Sequence, residues 1–363
     1  MKILGIESSC DETAAAVVED GFRVLSSVVN SQIDIHAQYG GVVPEIAARS
    51  HIEVINPVIR EALAQAQCSW DDIDAIAATY APGLVGSLLV GTLAARTLAI
   101  LRNKPLYAIH HVEAHVYANF ITESNSSALQ LPSKQPEFPL LALIVSGGHT
   151  QLVLFHGHGD YELLGQTQDD AVGEAFDKVA KILGLPYPGG PSIAAAAKHG
   201  DPEKYHLPKA KLDNPYIFSF SGLKTAVLRA VQHAVGKDFT FPSHELPKLV
   251  NDVQRADFAA SFQRVAVETL VERTLRAYSD FAPRSVVIAG GVAANQELRR
   301  QLSARLPIAI EYAPMQFCTD NAAMIATLGF FHAQCGTPAD PYTLDVIPSL
   351  SMVNTAWNVA KVL

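Results

Sequence analysis

Lys2–Val18, KILGIESSCDETAAAVV, and Leu140–Phe155, LLALIVSGGHTQLVLF, repeat one design about 140 residues apart. In the first, Lys2–Ile6 reads as a strand, Glu7–Thr13 as a polar turn and Ala14–Val18 as a second strand. In the second, Leu140–Val145 and Gln151–Phe155 are the strands and Ser146-Gly147-Gly148-His149-Thr150 is the turn. Short apolar runs bounded by turn residues predict hairpins. Two hairpins of one pattern predict two lobes of similar architecture facing each other. A length of 363 residues agrees, being more than one ordinary core absorbs.

Downstream of each hairpin the apolar period changes from strand to helix. Val172, Phe176, Val179 and Leu183 mark a helix over 172–183, a long helix is predicted over about Val253–Ser279, and strand Ser285–Ala289 runs into Gly290-Gly291 and a helix opening near Ala293. Strands alternating with helices predict α/β lobes with central, partly parallel sheets. The stretch Ile121–Phe138, rich in Ser, Gln and Pro, is the linker candidate. The expected domains are therefore 1–125 as N-terminal lobe, 138–335 as C-terminal lobe, and a tail, 336–363, packing back on the N-terminal lobe.

The composition, 49% hydrophobic and 17% charged, supplies ample apolar surface and excludes general disorder. A net charge of -9 repels a phosphate backbone at long range, so a nucleic-acid partner needs a local basic face or a helper protein. Four cysteines without a CxxC pair form neither a disulfide framework nor a thiolate zinc site, and they fit a reducing cytosol. The apolar start is too short for a secretory signal. Residues 75–95 carry no charge over 21 positions, yet Pro82-Gly83 interrupts them. They read as a buried strand (73–79), a turn and a buried helix from about Gly86 to Leu101, with no membrane span.

The chemistry begins at HHVEAH, residues 110–115. On a helix, His111 and His115 are i and i+4, their rings on one face, a spacing that suits two ligands of one transition metal and equally a pair of hydrogen-bonded surface histidines. A metallopeptidase of the HExxH type needs glutamate directly after the first histidine; here Val112 stands there and Glu113 falls near the opposite side of the helix. A third ligand must come from elsewhere. Phe317–Asn321 offers the Asp320 carboxylate at the mouth of a helix, though spacing does not tie it to the histidines.

Several loops suit ligand binding. The glycines of Ser146–Thr150 let backbone N–H groups approach an anion. Gly290-Gly291 brings a helix N-terminus close, with Asn295 one turn in, and Pro188-Gly189-Gly190-Pro191 reads as a rigid turn that leaves room for a flat ring. Each pattern is also ordinary loop chemistry. Asp177, with Glu174, Lys178 and Lys181, is explained by a solvated helix face with i,i+4 ion pairs. From Lys178 to Arg229, eight Lys/Arg face three Asp/Glu, with His199, Tyr205, Phe218 and Phe220 interspersed. That is either an RNA footprint or a plain solvated surface.

Together these motifs resemble one family, the universal tRNA N6-adenosine threonylcarbamoyltransferases of bacterial TsaD type. The matching stretches are GIESSCDET (5–13), YGGVVPEIAAR (39–49), PGLVGSLLVG (82–91), HHVEAH (110–115), LIVSGGHTQL (143–152), DDAVGEAFDKVAKILGLPYPGGP (169–191), FSFSGLKTA (218–226), AGGVAAN (289–295) and FCTDNAAMIA (317–326), in family order. The resemblance implies the two-lobed fold of actin, heat-shock chaperones and sugar kinases, with an interlobe ligand cleft. It makes His111, His115 and Asp320 ligands of one metal ion per chain, iron or zinc. It makes Ile144, Val145, Ser146, Gly147, Gly148, Asp177, Gly190 and Asn295 contacts of an adenylate. The implied reaction moves a threonylcarbamoyl group from threonylcarbamoyl-AMP to N6 of the adenosine beside the anticodon in tRNAs reading ANN codons, in the cytoplasm, with TsaB-like and TsaE-like partners. Asp11 and Glu12 are the candidate catalytic carboxylates. Two other readings compete: a metallopeptidase of the O-sialoglycoprotein type, against which the displaced Glu113 counts, and a nucleotide-gated binding module that forms no product.

Overall fold

Leu4 and Ile6 leave strand β1 (Lys2–Glu7) on one side and Ile3 and Gly5 on the other, as a period of two requires. Each side meets its own helices. The computed structural model describes residues 1–126 and 129–352, so the end of the expected tail, 353–363, lies outside the described residues. By its contacts the chain forms two units: Met1–Leu140 with Phe155–Glu162 and the chain from Glu311 onward, and Leu141–Leu154 with Leu163–Ile310.

The first unit holds β1, β2 (Glu12–Glu19), β3 (Arg23–Ser31), α1 (Ile33–Ala37), α2 (Pro44–Gln65), β4 (Ala75–Ala81), α3 (Val85–Arg102), β5 (Leu106–His110), α4 (His111–Tyr117) and β6 (Glu123–Ser124). Its sheet runs β5-β4-β1-β2-β3-β6. The expected first hairpin is β1 against β2, antiparallel, with Gly5 opposite Ala16. On its other edge β1 pairs in parallel with β4, Ile6 opposite Ala78. Leu4, Ile6, Ala15, Val17, Ile76 and Ala78 form one core with Ile55, Ile59 and Leu63 of α2 and with Ala95 and Ala99 of α3. Burying each large aliphatic side chain there contributes about 1.5–3 kcal/mol.

The opposite face carries a helix from the far end of the chain, α11 (Ala322–Cys335). A Cβ on Gly5 would lie 2.3 Å from the Ala322 carbonyl oxygen, and one on Gly329 would lie 2.5 Å from Ala77 Cβ. Only glycine permits so close a seat. This seat is why Glu311–Cys335, expected in the C-terminal lobe, belongs with the first unit instead.

The linker candidate is likewise tied to the first unit. β6 pairs with β3, Arg23 opposite Glu123, and Ser133 N donates to Glu311 Oε2 at 2.6 Å.

The second unit contains β7 (Leu140–Val145), β8 (Thr150–Gly157), β9 (Asp160–Gln166), α5 (Val172–Leu183), α6 (Gly189–Ala197), α7 (Ser221–Ala234), α8 (Asp252–Phe281), β10 (Ser285–Ala289) and α9 (Gln296–Arg305). Its sheet order is β10-β7-β8-β9, and the tips of β8 and β9 group with the first unit. The long helix α8 starts at Asn251, whose side chain accepts from Gln254 N in a capping box. Phe258 and Phe262 of α8 are fully buried, Phe262 against Phe176 of α5 at 4.9 Å. The remaining helices, α10 (Met315–Cys318) and α11 (Ala322–Cys335), return to the first unit.

Two expectations change here. Pro188–Pro191, expected as a rigid turn, is instead the start of a helix, because Gly189 opens α6 with Pro188 as its N-cap. Helix α3 forms where predicted but is not buried: a third of its length is inside, while Val85, Leu89, Leu93, Ile100 and Leu101 are exposed. Its length and apolar composition alone would suit a membrane, yet it packs on β4 and α2.

Candidate functional site

β5 delivers the chain to His110, and α4 begins at the next residue. His110 caps the helix, its Nδ1 accepting from Glu113 N, while its Nε2 is 3.1 Å from the Leu350 carbonyl. One turn of α4 then sets the His111 and His115 rings edge-on, 4.7 Å apart between centroids. Asp320 arrives two residues ahead of α11, whose N-cap Asn321 accepts from Met324 N. Asp320 Oδ1 lies 3.5 Å from His111 Nε2 and 3.2 Å from His115 Nε2. One donor atom from each of the three residues lies within 4.8 Å of the others.

The donor set fits a transition-metal cation, since two imidazoles and a carboxylate suit iron(II) or zinc. His115 supports the fit: both its ring nitrogens are buried and, among the described residues, neither makes a hydrogen bond, although Nε2 is 3.2 Å from Asp320 Oδ1. An unsatisfied buried nitrogen is costly, and a cation would satisfy it. His111 points the same way. Burial pushes its pKa down, but the Asp320 and Glu7 carboxylates outweigh this and hold it up to about 9, so the protein field at this spot favours positive charge.

Glu7 escaped the sequence reading, which placed it in a turn. It is the last residue of β1 and 0% exposed. Oε2 is 3.1 Å from His111 Nδ1 and accepts from Thr79 Oγ1 at 2.5 Å, and Oε1 accepts from Ser9 N at 2.5 Å. The signal available in sequence was a carboxylate directly ending an otherwise apolar strand.

The turn after β1 is pinned from two helices. His51 of α2 bonds Thr13 Oγ1 (2.7 Å) and the Cys10 carbonyl (2.9 Å), and Ser87 Oγ of α3 donates to the same carbonyl at 3.0 Å. Asp11 is buried and Glu12 half-buried. Ser31 Oγ donates to Glu12 Oε1. Burial first, then the Asp320 and Asp11 carboxylates, pushes the Glu12 pKa up to about 10.

In the second unit, Ser146 N donates to His149 O at 2.8 Å to close the Ser146–Thr150 turn. α5 abuts it: Gly173 N donates to Ser146 O at 3.2 Å, and Val172 N to Thr150 Oγ1 at 2.8 Å. Gly290 reaches the same place with φ +89, where a Cβ would lie 2.5 Å from Val145 O. Thus Val145, Ser146, Gly173 and Gly290 converge, while Gly147, Gly148, Gly190 and Gly291 open onto space, with no atom of the described residues within 4 Å of an added Cβ.

Asp177 does not sit on a purely solvated face. It is half-buried, and its Oδ1 accepts from Gly189 N at 2.7 Å, tying α5 to the start of α6. Of the two expected pairs, Glu174–Lys178 forms at 2.7 Å. Asn295 spends its side chain on structure: Oδ1 caps α9 at Glu297 N and Leu298 N, and Nδ2 donates to Gln263. Ile144 and Val145 are fully buried strand residues, so a ligand would meet their backbone.

The family model described as tRNA N6-adenosine threonylcarbamoyltransferase matches residues 23–327. The chain belongs to this family. Proteins of that name are 53% identical in Symbiobacterium thermophilum, over 96% of both chains, and 52% identical in Thermomicrobium roseum, over 97% of both. One from Dehalococcoides mccartyi is 50% identical over 98% of this chain and all of its own. Among solved structures, HypF of T. kodakarensis superimposes with a TM-score of 0.62 over 94% of this chain and 50% of that one. At 13% identity this likeness speaks for the fold alone, the α/β class of actin, heat-shock chaperones and sugar kinases.

For a member of this family, the RNA-footprint reading of 178–229 weakens. Phe218 and Phe220 are 0% exposed and belong to the core, and Tyr205 stacks on Phe258 at 3.7 Å. Lys178 and Lys224 pair with Asp170, and Lys209 with Glu268 and Glu272. Much of the surplus charge is thus spent inside the unit. The peptidase requirement also fails. Glu113 is fully buried beside Tyr161 Oη (3.3 Å), outside the His–His–Asp cluster, and burial pushes its pKa up to about 8 although the Tyr161 bond opposes this.

Proposed function

We propose that this chain transfers the threonylcarbamoyl group of threonylcarbamoyl-AMP to N6 of the adenosine beside the anticodon in tRNAs reading ANN codons, releasing AMP. The observation that carries the reading is the meeting of His111, His115 and Asp320 in a member of a tRNA-modifying family. His111, His115 and Asp320 would hold one iron ion, with zinc the alternative. Bound there, the cation supplies Lewis acidity toward an oxygen of the threonylcarbamoyl group. The open backbone around Ser146–Gly148 and Gly190, with Asp177 fixing the start of α6, would hold the adenylate part; Ile144, Val145 and Asn295 shape those loops.

In the transfer, adenine N6 forms the new bond to the carbamoyl carbon while the bond from that carbon to the AMP phosphate oxygen breaks. AMP leaves with the electron pair, and N6 gives its extra proton to a carboxylate. Burial, then the Asp320 and Asp11 carboxylates, favour the protonated form of Glu12, so we assign acceptance to Asp11 and hydrogen-bond donation to Glu12. With a net charge of -9, productive tRNA binding calls for helpers. The exposed apolar row Val85, Leu89, Leu93 and Ile100 on α3, with Ile52 of α2, suits the docking of a TsaB-like partner; a TsaE-like protein completes the set. The assignment places the reaction in the cytoplasm.

The test is reconstitution. Protein, partners, threonylcarbamoyl-AMP and unmodified tRNA should give threonylcarbamoyladenosine, and Asp320→Ala should lose bound metal together with at least about 100-fold of the rate, the size of effect that loss of a transition-state stabiliser produces. Product yield unchanged in Asp320→Ala, or no product from the wild type, overturns the proposal.

A further inference from the structure

The geometry points to Glu7 as the positioning residue of the cation site, the group that fixes the His111 ring with Nε2 bare of its proton and turned toward Asp320 and His115. This rests on the metal reading above and deepens it. The fold brings the parts together: β1 and β4 pair in parallel with Ile6 opposite Ala78, so the next residues, Glu7 and Thr79, stand side by side. Glu7 receives hydrogen bonds from Ser9 N and Thr79 Oγ1, both at 2.5 Å, and its Oε2 is 3.1 Å from His111 Nδ1.

A carboxylate held by such donors offers only acceptors, so Nδ1 of His111 must carry the hydrogen that bridges them. With a cation at the site the His111 imidazole is neutral and has one N–H. Its Nε2 is then a lone pair, and Nε2 is the atom 3.5 Å from Asp320 Oδ1. Ser9 Oγ, also 3.1 Å from Nδ1, is left to accept. Among the described residues His115 has no such carboxylate behind it, its Nδ1 making no hydrogen bond. The two imidazoles are therefore unequal: one is locked in tautomer and direction from behind, the other is held by packing. A carboxylate behind a ligating histidine raises its basicity as well as aiming it.

The experiment titrates the metal-free protein with cobalt(II), and with zinc(II) in competition. Wild type, Glu7→Gln, Thr79→Val and His111→Ala are compared, with melting of each metal-free form as the folding control. Glu7→Gln keeps the shape and removes the charge. Its cobalt(II) affinity should fall by roughly 10–100-fold with a shifted d–d spectrum, while binding is lost in His111→Ala. An affinity within twofold of wild type in a folded Glu7→Gln overturns the assignment. Should Glu7→Gln not fold, Thr79→Val decides: removal of one donor to Oε2 should weaken cobalt(II) binding several-fold, and unchanged binding overturns the role. Failure of the wild type to bind either metal, or of His111→Ala to weaken binding, overturns the metal reading itself and is distinguished from failure of Glu7 alone.

Discussion

His158 shows what a single residue's surroundings can do. It stacks on Phe331 at 3.9 Å, meets Phe138 edge-on at 4.9 Å, and its Nδ1 bonds the Tyr117 hydroxyl at 3.0 Å. Burial among these rings lowers its pKa to about 4, against about 6.5 in an unfolded chain. Between those values the unfolded state binds more protons, so stability rises with pH there and is lost as pH falls from 6.5 through 4. Melting temperatures of wild type and His158→Phe, followed from pH 7 to 4, should fall more steeply for wild type, so the difference between them shifts in the variant's favour as pH drops, whatever constant offset the lost Tyr117 bond leaves. Nothing in the sequence around Gly157-His158-Gly159 announces this, because Phe138 and Phe331 come from distant segments. The His111/His115 pair was legible by contrast, because i,i+4 spacing on one helix fixes geometry locally.

At the scale of elements, α11 against the first sheet matters most, because it carries Asp320 at its mouth. The seat depends on Gly5, where a Cβ would strike Ala322 O at 2.3 Å and Ala326 N at 2.8 Å, both backbone atoms that cannot turn aside. Gly5→Ala should therefore cost about 1–3 kcal/mol in denaturant unfolding and weaken metal binding by displacing Asp320. Gly157→Ala, where an added Cβ meets no atom of the described residues within 4 Å, is the matched control and should change neither. The sequence reading placed Asp320 at the mouth of a helix; that this helix returns to β1 was beyond it, since no local pattern encodes a contact over three hundred positions away. The same limit hid the exposed face of α3. An apolar helix reads alike whether its outer side meets core or solvent.

On the whole-molecule scale, the chain closes its first unit with a strap. Arg96 Nε donates to Pro341 O (2.6 Å), Nη2 to Tyr342 O (2.7 Å) and Nη1 to Leu344 O (3.0 Å), a use of the planar fork that lysine cannot copy. Further along, Ile347 N donates to Tyr80 O, Gly83 N to Pro348 O, and Tyr161 Oη to Met352 O. Arg96→Lys should raise the hydrogen-exchange rate of the Ile347 amide by roughly tenfold or more, as local opening becomes about 1–2 kcal/mol easier, while amides of β1 stay protected. By itself the sequence determined the two hairpins, the helices over 172–183 and about 253–279, and the histidine pair, because periodicity and i,i+4 spacing act within a few residues. Only the tertiary structure decided that the chain from Glu311 rejoins the first unit, that Glu7 stands behind His111, and that Asn295 caps a helix, because those depend on which distant surfaces can approach closely enough to touch.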